Sequence, residues 1–366
     1  MKVALVHDFL TQDGGAERVL SVLASMYPTA PIYTLVYNKE VLGSRFEGKD
    51  IRTSFIQRMP GGVRHYQFYL LLMPTAIETF DLSGYDVVIS SASAFAKGIL
   101  TDERTVHICY CHTPTRYLWS DAVSYIKTLP YPKVIRALIP FVLTKLRPWD
   151  MLAAGRVDVM VANSVAVAER IRKYYKRESE VIYPPVDAPG FTSERNEKDF
   201  FLTGGRLVGY KRFDIVIEAC SRLRLPLHIF GTGPDRVRLE KLAGNTVKFL
   251  GHVSKKELVN EYASCRAFVH PQVEDFGITA IEAMAVGVPV IAFAGGGALE
   301  TVRPGISGVF FDEQSWESLA DALARFSSSQ FSTSVISAEA NQYATDVFIQ
   351  KFGSLVRREI AKRVKR

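Results

Sequence analysis

Cysteine is scarce in this sequence, and the few cysteines are dispersed. They are Cys109, Cys111, Cys220 and Cys265, without a Cys-x-x-Cys pair. This pattern excludes a small disulfide-rich scaffold and is typical of proteins from a reducing compartment. Cys109 and Cys111 alternate within one predicted strand, and we expect them to pack in a core, as free cysteines usually do.

Long hydrophobic runs are also missing. No apolar stretch approaches the roughly 18 residues that a bilayer-spanning helix requires. The first residues, 2–8, carry charge too early for a secretory signal. We therefore expect a chain that is soluble or attached to a membrane surface.

Two familiar motifs are absent or incomplete. The glycines near the amino terminus do not form G-x-G-x-x-G, which argues against a dinucleotide fingerprint there. Asp275-Phe276-Gly277 matches a kinase metal motif, but no His-Arg-Asp loop and no Val-Ala-Ile-Lys strand accompany it. A kinase is therefore excluded.

The composition is apolar and basic. With 366 residues, of which 48% are hydrophobic, the chain can fill two cores, so two domains are expected. A net charge of +7 indicates an anionic partner, which could be a nucleotide, a nucleic acid or an acidic lipid surface. No basic helix or aromatic platform supports a nucleic-acid partner.

Strand-like and helix-like segments alternate along the chain. In the first half the predicted strands lie at 3–6, 32–35, 86–90, 107–110 and 157–161. A second series includes 200–206, 227–233, 247–251, 267–270 and 288–293. The alternation predicts parallel, doubly wound sheets in two α/β halves. Pro184-Pro185, followed by the polar run 192–199, predicts the connection between the halves.

The stretch 274–282 places two carboxylates at the ends of a segment that turns from loop into helix. Pro271 stops a short strand, and Gly277 lies near the start of the predicted helix. Such a helix start favours a phosphate. Glu274 would then face a hydroxyl-rich ligand group, and Glu282 could accept hydrogen bonds from a ribose. Alternatively, Glu282 is an ordinary exposed helix residue and Glu274 is a helix cap.

Three further features suit an anionic ligand. Gly14-Gly15 lies between a strand and a helix, either as a phosphate cradle or as a tight connection without a ligand. Arg206 and Lys211 follow a strand, either as a diphosphate clamp or as a solvated loop. His112 follows the strand at 107–110, at the sheet edge where open α/β folds bind ligands.

Segments 52–74 and 133–149 are both basic and apolar. This pattern is typical of surfaces that lie on an anionic membrane. The alternative is an amphipathic core helix with a solvated basic face.

Together these residues resemble the family 4 retaining glycosyltransferases. Seven residues separate Glu274 from Glu282, as in the family's E-x7-E signature, and the other features appear in the family's order. The resemblance covers nearly the whole chain. It implies the GT-B fold, in which two Rossmann-like doubly wound domains face each other across a cleft. The acceptor-binding domain would be 1–187 and the donor-binding domain 188–340, with a carboxyl-terminal helix of about 340–366 packing back on the first domain.

The resemblance also implies roles for the site residues. Arg206 and Lys211 would hold the diphosphate, Glu282 the ribose and Glu274 the transferred sugar. His112 would contact a sugar hydroxyl or a backbone group, without acting as a nucleophile. Donor contacts are expected from a further set of residues: Gly14, Gly15, Gly231, Phe276, Gly277, Ile278 and Thr279.

The reaction implied by the resemblance needs no cofactor. Because no Asp-x-Asp occurs, we expect no metal ion, and cations with helix ends would stabilise the leaving group. Retention implies same-face attack assisted by the donor phosphate. If a carboxylate nucleophile acted instead, Glu274 is the candidate.

Segment 110–119 is similar to bacterial mannosyltransferases that use GDP-mannose in surface polysaccharide synthesis. The implied acceptor is a saccharide on a polyprenyl diphosphate, and the implied location is cytoplasmic and peripheral on the inner face of the plasma membrane. UDP-sugar donors remain the main competing hypothesis. A GT-B-fold sugar-nucleotide epimerase and a catalytically silent binding subunit are further alternatives.

Overall fold

The computed structural model describes residues 1–123, 126, 132–187 and 195–364. The chain divides into two compact units, one formed by Met1–Tyr183 with Phe348–Arg366 and the other by Pro184–Val347. Each unit is built around a parallel sheet. Among the described residues, no helix combines the length and apolarity that crossing a membrane requires.

The first unit contains a seven-stranded sheet in the order β3-β2-β1-β4-β5-β6-β7. The strands are Val3–His7, Ile32–Thr34, Ile51–Thr53, Val87–Ala92, Val106–Cys111, Val159–Ala162 and Glu180–Val181, labelled β1 to β7. Its α-helices are Gly15–Met26, Lys39–Leu42, Met73–Glu78, Lys133–Arg156 and Val165–Tyr175. Short 3-10 helices lie at Phe55–Arg58, Tyr66–Leu72 and Ala96–Gly98.

The second unit contains a six-stranded sheet in the order β10-β9-β8-β11-β12-β13. The strands are Phe201–Gly204, Leu227–Phe230, Val247–Gly251, Phe268–His270, Val290–Phe293 and Gly308–Phe311, labelled β8 to β13. The α-helices are Phe213–Leu223, Arg236–Leu242, Lys255–Ser264, Ile278–Ala285, Ala298–Thr301, Trp316–Arg325 and Thr333–Ala340. The 3-10 helices are Gly209–Lys211, Ser328–Gln330 and Asn341–Tyr343.

Both sheets are doubly wound, as the alternating pattern predicted. The central strands β1, β4 and β5 are buried along their whole length, because both faces of a parallel sheet are covered. The strand order reverses between β1 and β4 in the first unit and between β8 and β11 in the second. Loops at the carboxyl ends of these strands therefore flank the positions where open α/β sheets bind ligands.

The closing helix, Thr345–Val364, packs on the first sheet through its part from Phe348 onward. Phe348 and Phe352 are buried in the same cluster as Leu5 and Tyr110. The predicted part of this helix beyond residue 364 and the polar run 192–194 lie outside the described residues. The acceptor-binding and donor-binding roles of the two units stay predictions.

Two core predictions have clear outcomes. Cys109 and Cys111 are buried in the core on one face of the first sheet, which confirms their packing role. The basic-apolar segment 52–74 is not one amphipathic helix, because it contains the end of β3, two short 3-10 helices and the start of Met73–Glu78.

Three strands were not predicted: Ile51–Thr53, Glu180–Val181 and Gly308–Phe311. Each lies at an edge of its sheet. An edge strand has one neighbour and is covered less completely, so it needs no continuous apolar run. All three contain partly exposed positions.

Candidate functional site

The loop after β8 carries the two predicted cations of the second unit. Gly205 has a φ of +130°, and a Cβ there would lie 3.2 Å from the Lys211 Nζ atom. Glycine at this position therefore leaves room for the ammonium group above the backbone. Arg206 follows Gly205 directly and is exposed, and Lys211 ends the 3-10 helix that precedes Phe213–Leu223.

Lys211 reaches the segment that follows β11. Its Nζ atom lies 2.8 Å from Oε1 of Glu274, and both side chains are mostly shielded from solvent. The structure thus brings together two predicted site residues that are far apart in sequence. An ammonium beside a carboxylate suits a ligand that carries a phosphate next to hydroxyl groups, since the first attracts anions and the second accepts hydrogen bonds.

Gly277 begins the helix Ile278–Ala285 in a left-handed conformation, with φ 90° and ψ 57°. A Cβ at this position would lie 3.1 Å from Nε2 of His270. Glycine is therefore favoured for its conformation and for the close approach of the imidazole. The first turn of this helix presents backbone N–H groups that have no acceptor within the helix. The predicted donor contacts at Gly277, Ile278 and Thr279 all lie in this turn.

Buried polar atoms without a partner are found on residues that precede and begin this helix. Both ring nitrogens of His270, both amide atoms of Gln272 and Oγ1 of Thr279 have no hydrogen-bond partner among the described residues. An unsatisfied buried polar group costs about 1–3 kcal/mol, so several in one place indicate a site that binds water or a ligand. Sequence reasoning missed His270 and Gln272, although both lie between a strand and the acidic pair.

The imidazole of His270 is held neutral by its surroundings. Burial lowers its pKa to about 4, the Glu274 carboxylate opposes that shift, and the Lys211 ammonium adds to it. At neutral pH one ring nitrogen of His270 donates and the other accepts. The His270 side chain can therefore form a hydrogen bond with either a donor group or an acceptor group of a ligand.

Glu282 is not the exposed helix residue of the alternative interpretation. It is only 7% exposed, and Tyr262 OH lies 3.4 Å from its Oε2 atom. The same hydroxyl lies 3.1 Å from the carbonyl oxygen of Thr279 and shares its one proton between the two oxygens. The tyrosine therefore ties Glu282 to the first turn of the same helix, and the predicted ribose contact stays a prediction.

Phe276 is held by a glycine-rich loop. Its ring packs edge-on against Tyr343 with centroids 5.3 Å apart. A Cβ at Gly297 would lie 2.5 Å from Cα of Phe276, and a Cβ at Gly296 would lie 2.4 Å from the carbonyl oxygen of Glu274. The glycine run after β12 thus lets two loops touch backbone to backbone. Sequence reasoning did not use that run.

Gly231 has an explanation that requires no ligand. It has a φ of +103°, and a Cβ there would lie 1.9 Å from the carbonyl oxygen of Gly205. Close contact between two backbones therefore accounts for the glycine. The role of Gly231 in donor binding stays a prediction.

In the first unit, His112 lies directly beyond β5 and is mostly buried. Its Nε2 atom is 2.8 Å from Oγ of Ser91. Burial is the main cause that lowers the pKa of His112 to about 3. His112 is therefore neutral at physiological pH. Sequence reasoning missed Ser91 and His7, which strand register brings beside it.

Gly14 begins the helix Gly15–Met26, and its N–H donates a 2.9 Å hydrogen bond to Oε2 of Glu17. A Cβ at Gly14 would also lie 2.9 Å from that oxygen. Glu17 thus caps the helix start, and a side chain at position 14 would have to displace its carboxylate. Donor contact by Gly14 and Gly15 stays a prediction.

The described residues include no group of three or more His, Cys, Asp or Glu side chains arranged to hold a metal ion. The expectation of a metal-free reaction remains a prediction.

Comparison with known proteins identifies the family. Residues 13–188 match the model of Glycosyltransferase Family 4, and residues 189–344 match that of Glycosyl transferases group 1. A GDP-mannose-dependent alpha-(1-6)-phosphatidylinositol monomannoside mannosyltransferase of Mycobacterium tuberculosis is 32% identical over 74% of this chain and 82% of its own length. The chain belongs to the family 4 glycosyltransferases.

Two further matches show the reach of the similarity. A D-inositol 3-phosphate glycosyltransferase of Geodermatophilus obscurus is 31% identical, but the match spans only 43% of this glycosyltransferase and 43% of that relative. The solved structure of Anabaena HepE in complex with UDP-glucose has a TM-score of 0.71 at 20% identity, covering 98% of this chain and 100% of that one. With the two Rossmann-like sheets, this likeness confirms the predicted GT-B fold class.

Proposed function

We propose that this glycosyltransferase transfers a hexose from a nucleotide-diphosphate sugar bound at the carboxyl edge of the second sheet. The observation that carries the proposal is the set of unpartnered buried atoms on His270, Gln272 and Thr279 beside the Lys211–Glu274 ion pair. Hydroxyl and phosphate groups of a sugar nucleotide would satisfy these atoms. Such a site combines a cation, a carboxylate and a helix start in one place.

The proposed donor is GDP-mannose. Support comes from the Mycobacterium tuberculosis relative, whose name specifies a GDP-mannose-dependent mannosyltransferase. UDP-sugars are the alternative donors, because a diphosphate and a ribose are common to both nucleotides. The solved HepE complex contains UDP-glucose.

The proposed reaction retains the configuration of the sugar and uses no metal ion or cofactor. Arg206 and Lys211 stabilise the diphosphate as it leaves, together with the N–H groups at the start of Ile278–Ala285. Glu274 accepts hydrogen bonds from the transferred sugar, and Glu282 from the ribose. The acceptor hydroxyl attacks from the face that the nucleotide leaves, and the donor phosphate assists its deprotonation.

The proposed acceptor is a saccharide linked to a polyprenyl diphosphate at the inner face of the plasma membrane. The helix Lys133–Arg156 exposes an apolar stripe. Val134, Leu138 and Phe141 lie on one face of the helix, and all three are solvent-exposed. Lys145 continues this stripe and is exposed. An apolar stripe with basic neighbours suits an anionic bilayer surface.

A neighbouring segment extends this surface. Phe68 and Leu71 are exposed on the 3-10 helix Tyr66–Leu72. In the same segment, Leu70 packs against the cluster that contains Leu143 of the long helix. The two basic-apolar stretches predicted from the sequence therefore lie side by side in the first unit.

Substitution of the cations tests the donor site. Arg206→Ala and Lys211→Ala should each lower kcat roughly a hundredfold or more, because each removes a charge from the anion site. Lys248→Ala is the matched control, since this exposed lysine lies on the edge strand β10. Near wild-type transfer by the Arg206→Ala/Lys211→Ala double variant would refute the assignment.

One series of measurements identifies both the sugar donor and the class of reaction. GDP- and UDP-sugars are first screened for thermal stabilisation, and the best donor is then offered with a lipid-linked acceptor. NMR of the product reports retention or inversion, and a chelator tests the need for a metal ion. A free epimerised sugar nucleotide formed without an acceptor would support the epimerase alternative.

The membrane proposal has its own test. Leu138→Ser/Phe141→Ser should weaken sedimentation with anionic vesicles at low salt by at least about tenfold, because two apolar side chains would no longer be buried in lipid. Val237→Ser/Leu299→Ser is the matched control, since these apolar side chains are exposed on the second unit. Failure of the wild-type protein to sediment with the vesicles would remove the proposal.

A further inference from the structure

Four buried polar side chains lie in a row at the switch point of the first sheet, and hydrogen-bond distances link three of them. His112 Nε2 lies 2.8 Å from Ser91 Oγ, and Ser91 Oγ lies 3.1 Å from His7 Nδ1. On the other side of its ring, His7 Nε2 lies 3.7 Å from Oε1 of Glu17. All four residues are at most 9% exposed.

Strand register explains how these residues meet. His7 is paired with Ser91 across β1 and β4, and Ser91 is paired with Tyr110 across β4 and β5. Side chains of paired residues lie on the same face of a sheet, and His112 is two residues beyond Tyr110. The three polar side chains are therefore brought to one face at the carboxyl edge.

A single hydroxyl couples the two imidazoles. Ser91 has one proton to donate and lies within hydrogen-bond distance of one nitrogen of each ring. If Ser91 donates to His7, a neutral His112 must donate to Ser91 from Nε2. If Ser91 donates to His112 instead, His7 must donate from Nδ1. The tautomers of the two histidines are thus linked.

Glu17 selects between these two arrangements. Its carboxylate can only accept hydrogen bonds, and it is held at the helix start by the Gly14 N–H at 2.9 Å. When the His7 ring carries one proton, that proton is favoured on Nε2, because the negative charge of Glu17 lies 3.7 Å from this nitrogen. Nδ1 is then left to accept from Ser91. The same chain then places the proton of His112 on Nε2.

We propose that Glu17 sets the tautomer of His112 through His7 and Ser91, so that Nδ1 of His112 is a hydrogen-bond acceptor. Glu17, His7 and Ser91 are positioning residues in this arrangement, and His112 is the group that meets a ligand. The ligand class is a hydroxyl donor, and its assignment to a sugar hydroxyl rests on the proposed glycosyltransfer. The arrangement of the tautomers does not depend on that activity.

Glu17→Gln is the decisive substitution. The Gly14 N–H requires an oxygen, so the amide oxygen of the glutamine takes that place and its NH2 group turns toward His7. His7 must then accept at Nε2 and donate from Nδ1 to Ser91. Ser91 in turn donates to His112 Nε2, which moves the proton of His112 to Nδ1. One substitution therefore reverses the whole chain.

The measurement is two-dimensional ¹⁵N–¹H NMR of the full-length protein labelled in its histidines, with the His112 signals identified from a His112→Gln variant. This experiment distinguishes a protonated from an unprotonated ring nitrogen. We expect protonation at Nε2 of both His7 and His112 in the wild-type protein. In Glu17→Gln we expect protonation at Nδ1 of both rings.

Two controls make the test specific. Glu257→Gln alters another glutamate that caps a helix, because Glu257 accepts from the Ser254 N–H at 2.8 Å, and it should leave His112 unchanged. In a Ser91→Ala background, Glu17→Gln should no longer move the His112 proton. A wild-type His112 protonated at Nδ1, a doubly protonated His7, or a Glu17→Gln effect that survives Ser91→Ala would overturn the proposal.

Activity supplies a separate readout. If His112 accepts from a sugar hydroxyl, Glu17→Gln should lower kcat/KM about tenfold to a hundredfold, because the protonated Nδ1 no longer accepts the hydroxyl proton and the hydroxyl must reorient. Reversal of the tautomers in a protein that transfers no sugar would support the chain and refute the proposed function. Unreversed tautomers in Glu17→Gln, in a protein that transfers the sugar, would refute the chain and support the proposed function.

Discussion

Asp150 is the single acidic residue of the long helix Lys133–Arg156 and accepts hydrogen bonds from four side chains, and we expect its removal to destabilise the first unit strongly. Its Oδ1 atom accepts from Lys97 Nζ at 2.6 Å and from Thr115 Oγ1 at 2.7 Å. Its Oδ2 atom accepts from Trp119 Nε1 and from Tyr175 OH, both at 2.8 Å. The network joins this helix to the loop that follows His112.

The Lys97 ammonium is buried with Asp150 as its only acidic ion-pair partner among the described residues. Burial by itself would lower the pKa of Lys97, but opposing contributions led by the Asp150 carboxylate together outweigh it, and the pKa is raised. Lys97 is therefore charged at neutral pH. Asp150→Ala would leave this charge buried and uncompensated.

Removal of Asp150 and removal of Lys97 should lower the free energy of unfolding by different amounts. Asp150→Ala should lower the free energy of unfolding by about 5 kcal/mol, at the upper end for breaking a buried pair, because three neutral donors also lose their acceptor. Lys97→Met should cost only about 2 kcal/mol, because Asp150 keeps those three donors and methionine fills a similar volume. A double variant, Lys97→Met/Asp150→Leu, should be more stable than Asp150→Ala.

Urea unfolding followed by tryptophan fluorescence measures these values. The chain has three tryptophans, and Trp316 is the one in the second unit. A Trp316→Phe background therefore restricts the signal to Trp119 and Trp149 of the first unit. The reasoning is refuted if Asp150→Ala costs no more than Lys97→Met.

Two further predictions concern a glycine and a buried histidine. Gly277→Ala should cost about 1–2 kcal/mol for its positive φ and should weaken donor binding, because its Cβ approaches His270 Nε2 to 3.1 Å. Gly305→Ala is the control measured by the same thermal shift and donor titration, since Gly305 has φ +75° and no described atom lies within 4 Å of the position that its Cβ would take. Equal donor affinity in the two variants would contradict the close contact. Burial, with smaller contributions from nearby Arg156 and Arg177, lowers the pKa of His107 to about 3. Because the unfolded histidine titrates near 6.5, its stabilising contribution is complete above that pH and is lost at up to about 1.4 kcal/mol per pH unit as the pH falls toward 3. His107→Gln should flatten the decline in unfolding free energy between pH 7 and pH 5, and an unchanged slope would contradict the assignment.

Much of the fold was predictable because it depends on local patterns. Buried parallel strands are short apolar runs, so β1, β4 and β5 were found to within two residues at each end. Gly277 was placed correctly near a helix start. The edge strand β10 was predicted, but the edge strands Ile51–Thr53 and Glu180–Val181 escaped prediction because neither contains the apolar run that marks a strand.

The candidate site was only partly predictable. Lys211 and Glu274 were each predicted, but not the 2.8 Å contact between them. His270 and Gln272 look like ordinary residues after a strand, and their importance appears only when both prove buried without a partner among the described residues. Asp150 gave no sequence signal, because nothing in a helical pattern shows that one carboxylate will accept from four side chains.

The sequence by itself determined the strand and helix alternation, the glycines at two helix starts and the family. Tertiary structure alone decided which side chains meet, as with His7 and Ser91, which lie 84 residues apart and bond across neighbouring strands. The physical reason is that side-chain periodicity depends on adjacent residues, whereas the order and register of strands depend on packing the whole sheet. Contacts at the carboxyl edge follow from that order and register.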